Sequence, residues 1–178
     1  MNITVYCGAA EGMDPEYIAR ARELGAWMAA KGHTLVYGGA SKGLMGAVSD
    51  STLEAGGKVI GVLPDVPQIQ ERKHHGLTEC IETATMAERK AKMIELADAF
   101  VALPGGIGTL DEITEVMALG SLDITTCPIV FFNTDGYYQP FKGVIDNVIN
   151  NGLGQKEYFR RVLFSEDMEE IAEFISKK

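Results

Sequence analysis

The chain has 178 residues, 46% hydrophobic and 23% charged, which suits one globular unit with a sizeable core. Its formal net charge of -9 argues against a nucleic-acid polymer or an anionic membrane surface as partner, while a small phosphorylated metabolite, bound by local donors, stays open. No basic segment followed by an apolar run opens the chain, and no apolar stretch approaches the roughly 20 residues of a membrane helix, so a soluble, cytoplasmic protein is expected.

Strand and helix signals alternate along the chain. Ile3-Thr4-Val5-Tyr6 reads as a strand ending at Cys7-Gly8. Asp14-Pro15 opens a helix, with Asp as cap and Pro in the first turn, and the stripe Ile18, Ala21, Leu24, Met28 runs to Gly32. Thr34 to Tyr37 is a second strand before Gly38-Gly39. A helix starting near Lys42 or Gly43 carries Met45, Val48 and Leu53 to Gly56-Gly57, and Val59 to Val62 is a third strand. From Pro64 to Thr78 the pattern weakens to a loop with a short helix. Cys80 to Thr83 reads as a short strand, 85–97 as a helix, and Ala99 to Leu103 as a strand. Pro128 to Phe132 reads as the last strand. Phe141 to Val148 and Met168 to Ile175 read as helices. This alternation predicts one α/β domain over 1–178, a Rossmann-like three-layer α/β/α fold with a mainly parallel sheet. Ligands in such sheets lie at the carboxyl ends of the strands, so Gly8, Gly38-Gly39 and Gly105-Gly106 are expected to gather on one edge.

Pro104-Gly105-Gly106-Ile107-Gly108-Thr109-Leu110-Asp111-Glu112 lies between an apolar strand and a helix-like pattern with Ile113, Val116 and Met117 on one face. Glycines there let a ligand approach backbone N–H groups at a helix start, where the dipole favours an anion. Thr109 adds a hydroxyl, and Glu112 places a carboxylate one turn on. The competing reading is a capping box, Thr109 capping the helix and Glu112 reaching back. Gly39-Ala40-Ser41-Lys42-Gly43-Leu44-Met45-Gly46 is a second glycine-rich turn, serving either a ligand or close helix–sheet packing. No GxGxxG and no GxxxxGK[ST] is present, so the standard dinucleotide and Walker readings lose their support.

Thr85-Met86-Ala87-Glu88 is a further capping-box candidate. In the helix it opens, Arg89 and Lys90 lie three and four residues after Met86, on or beside the apolar stripe. Either they snorkel to solvent, or they face a ligand or carboxylate at the sheet edge, a role that the planar guanidinium of Arg89 suits. Cys7, Cys80 and Cys127 have no paired spacing, which argues against a disulfide framework or a zinc site. His74-His75 lacks the pattern of a metal site, and Tyr137-Tyr138 reads as turn and core packing.

Arg89-Lys90 followed by Pro104-Gly105-Gly106-x-Gly108-Thr109-x-x-Glu112 resembles the PGGxGTxxE signature of the Lonely Guy family, the cytokinin riboside 5′-monophosphate phosphoribohydrolases, often mislabelled as lysine decarboxylases. The resemblance extends through Cys7-Gly8, Tyr37-Gly38-Gly39, Gly43-Leu44-Met45-Gly46, Gly56-Gly57, Gly61-Val62-Leu63-Pro64, Met86 and Gly136-Tyr137-Tyr138. It implies a Rossmann-like homodimer that hydrolyses the N-glycosidic bond of a nucleoside 5′-monophosphate without a cofactor or metal. It also implies Arg89 and Glu112 as catalytic residues, with Glu71, Lys90 and the Gly106–Glu112 turn contacting substrate. Together these readings make Gly8, Gly39, Gly43, Met45, Glu71, Lys90, Gly105, Gly106, Ile107, Gly108 and Thr109 the expected substrate contacts. The alternative is a carrier, since molybdenum-cofactor carriers use a similar cradle for binding alone. The chain departs from the family pattern at Ala9-Ala10, at Ala40, and at Ala118-Leu119-Gly120-Ser121-Leu122-Asp123.

Overall fold

The computed structural model describes residues 1–154 and 156–177. Among these, seven strands alternate with seven α-helices: β1 (Asn2–Tyr6), α1 (Pro15–Ala30), β2 (Thr34–Tyr37), α2 (Gly43–Glu54), β3 (Lys58–Pro64), α3 (Pro67–Gln70), β4 (Glu79–Thr83), α4 (Met86–Leu96), β5 (Ala99–Ala102), α5 (Ile107–Ser121), β6 (Ile129–Phe132), α6 (Gln139–Asn150), β7 (Val162–Ser165) and α7 (Met168–Ser176). The strands form one sheet in the order β4-β3-β2-β1-β5-β6-β7, and every neighbouring pair is parallel. The three-layer α/β/α expectation holds.

Local chemistry explains where the helices start. Asp14 accepts a hydrogen bond from the Glu16 N–H at 2.9 Å, and Pro15 occupies the first turn of α1. Thr85 accepts from the Glu88 N–H at 3.1 Å, and the Glu88 carboxylate reaches back to the Ala84 N–H at 3.0 Å. This is the expected box displaced by one residue on its return arm.

The strands divide the core by parity. Ile3 and Val5 pack with Leu24, Met28 and Leu35 on one face of the sheet. Tyr6, Val36, Val62 and Phe100 pack with Met93, Ile113 and Val116 on the other. Thr4, on that second face, donates its hydroxyl to the Met93 carbonyl at 3.0 Å and ties α4 to β1. Thus α4 and α5, which carry Arg89 and Glu112, lie over the same face.

β1 sits mid-sheet. The chain leaves it towards β2, β3 and β4, then returns to β5 on its other side. At this reversal of strand order the two outgoing turns meet, and the Gly8 N–H donates to the Pro104 carbonyl at 3.1 Å. Such a reversal opens a crevice at the carboxyl edge of a parallel sheet.

The expectation that Pro128 to Phe132 ends the sheet is corrected: β7 pairs beyond β6, with Val162 opposite Ile129 and Ser165 opposite Phe132. Its four residues follow a 3₁₀ turn, Tyr158–Arg161, with no glycine or proline at the boundary, so the sequence offers little strand punctuation there. α6 is also longer at both ends than its apolar pattern suggests, and none of its residues is buried.

Candidate active site

Arg89 and Glu112 converge in the structure. Arg89 leaves α4 only 4% exposed, and Glu112 leaves α5 only 6% exposed. The Arg89 Nη1 donates to the Glu112 Oε1 at 2.5 Å, and its Nε donates to the Val62 carbonyl at 3.1 Å. Arg89 therefore meets a carboxylate at the sheet edge and does not snorkel. Gly38, at the end of β2, makes this possible, because a Cβ there would run into the guanidinium.

The capping-box reading of Thr109 and Glu112 is corrected. Gly106 is the residue before the first turn of α5, Thr109 lies within that turn, and the Glu112 side chain is committed to Arg89. Thr109 is instead packed over Gly105, where a Cβ would collide with its hydroxyl.

Burial raises the Glu112 pKa above the ordinary glutamate value, and the Arg89 charge and hydrogen bond oppose that rise. Its neighbours Tyr6 and Cys7 are also pushed up, first by burial and then by the Glu112 charge. The Cys7 thiol on the cleft floor is therefore held protonated.

Three cavities adjoin along this edge. The first, about 220 Å³, is lined by Gly8, Ala9, Met45, Gly106, Gly108 and Thr109, with Cys7 and Glu112. The second, about 250 Å³, shares Ala9 and Met45 and adds Gly38, Ala40, Gln68, Ile69 and Met86, with Arg72 and Arg89. The third, about 330 Å³, is polar, with Lys42, Glu71 and Arg72 around Ala9, Ala10 and Glu11. The Arg89–Glu112 pair thus stands between a glycine-lined cavity and a largely apolar one.

The other expected contacts fall into two groups. Gly8, Met45, Gly106, Gly108 and Thr109 line the first cavity, and Glu71 lines the third. Gly105 sits beneath Thr109, and Gly43 opens α2 against Ala9 and Ala10. Gly39 packs against Leu63, and its carbonyl accepts the His74 N–H at 2.9 Å. Ile107 points outward, 81% exposed. Lys90 lines none of these cavities: its ammonium sits 3.0 Å from Asp111 and 2.8 Å from Glu115, both of which favour its charged form, and so ties α4 to α5.

The α2 start is less free for a ligand than its glycines suggest. The Leu44 and Met45 N–H groups both donate to the Gly8 carbonyl, at 3.0 and 3.3 Å. The N–H groups of Gly106, Ile107, Gly108 and Thr109, by contrast, meet no backbone acceptor among the described residues. The two turns look alike in sequence, but they differ as anion sites.

Sequence reasoning did not single out Gly38, Gln68, Ile69 or Arg72. Gly38 was legible only as half of a glycine pair, and the other three lie in the irregular segment after β3. His74 there accepts the Gly76 N–H at Nδ1 at 2.9 Å, so its Nε2 donates to Asp50 at 2.8 Å. Among the described residues no cluster of His, Cys, Asp and Glu could hold a metal ion.

Residues 45–175 match a family profile described as "Possible lysine decarboxylase". The chain is 40% identical over 169 residues to the cytokinin riboside 5′-monophosphate phosphoribohydrolase of Rhodococcoides fascians, covering 94% of this chain and 85% of that one. It is 42% identical over 163 residues to the phosphoribohydrolase LOG of Oryza sativa subsp. japonica, covering 92% and 67%. In fold it is similar to the molybdenum cofactor binding protein of Rippkaea orientalis, with a TM-score of 0.75 at 24% identity over 98% of this chain and 94% of that one. It is likewise similar to the Moco carrier protein of Chlamydomonas reinhardtii, with a TM-score of 0.74 at 22% identity over 99% and 98%. At those identities the likeness concerns the fold alone. Identity of 40% along nearly the whole chain, together with the profile match, places this protein in the cytokinin riboside 5′-monophosphate phosphoribohydrolase, or Lonely Guy, family.

Proposed function

We propose that this chain hydrolyses the N-glycosidic bond of a purine or cytokinin-type nucleoside 5′-monophosphate to free base and ribose 5-phosphate. One observation carries the reading: a buried carboxylate, Glu112, held by Arg89, lines the same cavity as the glycine turn that opens α5. The turn supplies backbone donors for the 5′-phosphate. The apolar neighbour, with Met45, Ile69 and Met86, receives the base. The ribose then spans the Arg89–Glu112 pair.

Cleaving the C1′–N bond sends the bonding pair to the base and leaves oxocarbenium character on the ribose. The Glu112 carboxylate, through the oxygen not held by Arg89, stabilises that charge and orients the water that adds to C1′. The water's proton ends on the departing base, so the step is redox-neutral with water as its co-reactant. Arg89 keeps the carboxylate ionised and aimed. Phosphate binding far from the broken bond positions the sugar.

The relatives named as phosphoribohydrolases support this reading. The molybdenum-cofactor proteins share the fold and so match the carrier alternative. A buried Arg–Glu pair beside the cradle favours the enzyme. The reading takes the chain as one nucleotide-binding unit in the cytoplasm, with a small-molecule partner, and its three free thiols support that compartment. It also takes the protein as a homodimer, as the family resemblance implies, and sedimentation at graded concentrations tests this. The activity is tested with AMP and a panel of other nucleoside monophosphates. Free base and ribose 5-phosphate should appear in equal amounts. Tight nucleotide binding with no base release would establish the carrier instead.

A further inference from the structure

The Gly105–Gly106 peptide has no side chain on either flank to hold its plane. Isolated, such a peptide turns over readily. Here its neighbours are fixed one carbonyl at a time. The Leu103 carbonyl accepts the Tyr138 hydroxyl at 2.7 Å, and the Pro104 carbonyl accepts the Gly8 N–H at 3.1 Å. The Gly105 carbonyl accepts the Tyr137 hydroxyl at 2.5 Å, and the Gly106 carbonyl accepts the Leu110 N–H at 3.1 Å.

Tyr137 and Tyr138 come from the loop between β6 and α6, where Asp135 and Gly136 adopt consecutive left-handed conformations (φ 51° and 70°). The Tyr137 ring is seated edge-on between Tyr17 of α1, at 5.8 Å, and Tyr138, at 4.9 Å. Tyr138 is buried, and its own N–H is held by the Asn133 side chain at 2.7 Å. Tyr137 itself is 39% exposed and lines none of the three cavities of the cleft.

We propose that Tyr137 is a positioning residue for the phosphate subsite, its hydroxyl fixing the Gly105–Gly106 peptide so that the Gly106 N–H faces the cavity. In a planar trans peptide the C=O and N–H point opposite ways, so holding the Gly105 carbonyl sets the direction of the next amide. The glycines leave room for a phosphate, and the tyrosine restores the rigidity that glycine removes. Preorganised donors bind better because no ordering cost falls on binding. This rests on the reading of the glycine cavity as the 5′-phosphate site.

The test compares wild type, Tyr137→Phe and Tyr138→Phe by calorimetry with ribose 5-phosphate and, separately, with adenine. Tyr137→Phe should weaken ribose 5-phosphate binding by about 3-fold to 10-fold and leave adenine binding and the thermal midpoint unchanged. Tyr138→Phe, whose hydroxyl holds a carbonyl two peptides upstream, should lower the thermal midpoint without that selectivity. Unchanged ribose 5-phosphate affinity in Tyr137→Phe, or equal loss for both ligands, overturns the proposal. So does wild-type protein that binds no ribose 5-phosphate. Wild type that binds it but releases no base from AMP or any other nucleoside monophosphate of the panel defeats the hydrolase reading while the role of Tyr137 stands.

Discussion

Arg89 and Glu112 are a buried ion pair, and each is tolerable only because of the other. Removing one partner of such a pair typically costs about 3–5 kcal/mol, because an uncompensated charge stays buried. Glu112→Gln keeps the shape and a hydrogen-bonding group, so it should bind AMP nearly as wild type and release no adenine. Turnover at the wild-type rate would remove Glu112 from the chemistry. Burial raises the Glu112 pKa, and the ionised form is the working one, so kcat/KM should rise with pH along an acid limb above the ordinary glutamate range. Arg89→Met removes the main opposing influence, so Glu112 should hold its proton to higher pH still. The folded state then keeps a proton that the unfolded chain has already released. The stability lost in Arg89→Met should therefore be smallest at acid pH, below the unfolded glutamate value, and grow as pH rises through the folded one. Urea titrations at acid and neutral pH measure this, and a deficit that ignores pH would contradict it.

The helices decide where these side chains can meet. α4 begins at a Thr85 cap, and Arg89 lies one turn inside it, on the side that also buries Met93. Thr85→Ala should lower the stability of the protein by about 1 kcal/mol, read as a shift in the urea midpoint at constant slope. The helix start and the inward Arg89 were legible in the sequence, since a capping motif and a 3.6-residue period are local signals. The start of α5 was legible as a glycine turn, but the role of Thr109 was not. Capping and packing use the same residue types, and only the tertiary position of Arg89 decides which job Glu112 does. Lys90 shows the same limit: its place beside Arg89 left solvent, a ligand or a carboxylate open, and the structure pairs it with Asp111 and Glu115 of α5. β7 escaped notice because its four residues follow a 3₁₀ turn with no glycine or proline to mark the boundary, whereas the equally short β2, β5 and β6 lie close to glycine or proline.

At the scale of the molecule, strand order places the site. β1 and β5 are neighbours although Thr4 and its partner Phe100 lie 96 positions apart in the chain, with β2, β3 and β4 formed between them. A ligand bridging the cavities beyond these strands ties both halves of the sheet together and favours the folded state by mass action. With the Glu112→Gln variant, AMP at about 100 times its Kd should add about 2.7 kcal/mol to the unfolding free energy, read from denaturant titrations with and without ligand. No added stability at saturating AMP would argue against a nucleotide site at this edge.

The sequence by itself determined the α/β alternation, the parallel sheet, the glycine turn after β5 and the inward face of α4, because each is written in local spacing or in a residue's own conformational limits. Only the tertiary structure decided that Arg89 and Glu112 touch, that Gly38 makes room for them, that the amides opening α2 are taken by Gly8 while the Gly105 carbonyl is braced by Tyr137. Those facts join segments far apart in the chain, and such pairing is set by how the strands order across the sheet, which no local pattern encodes.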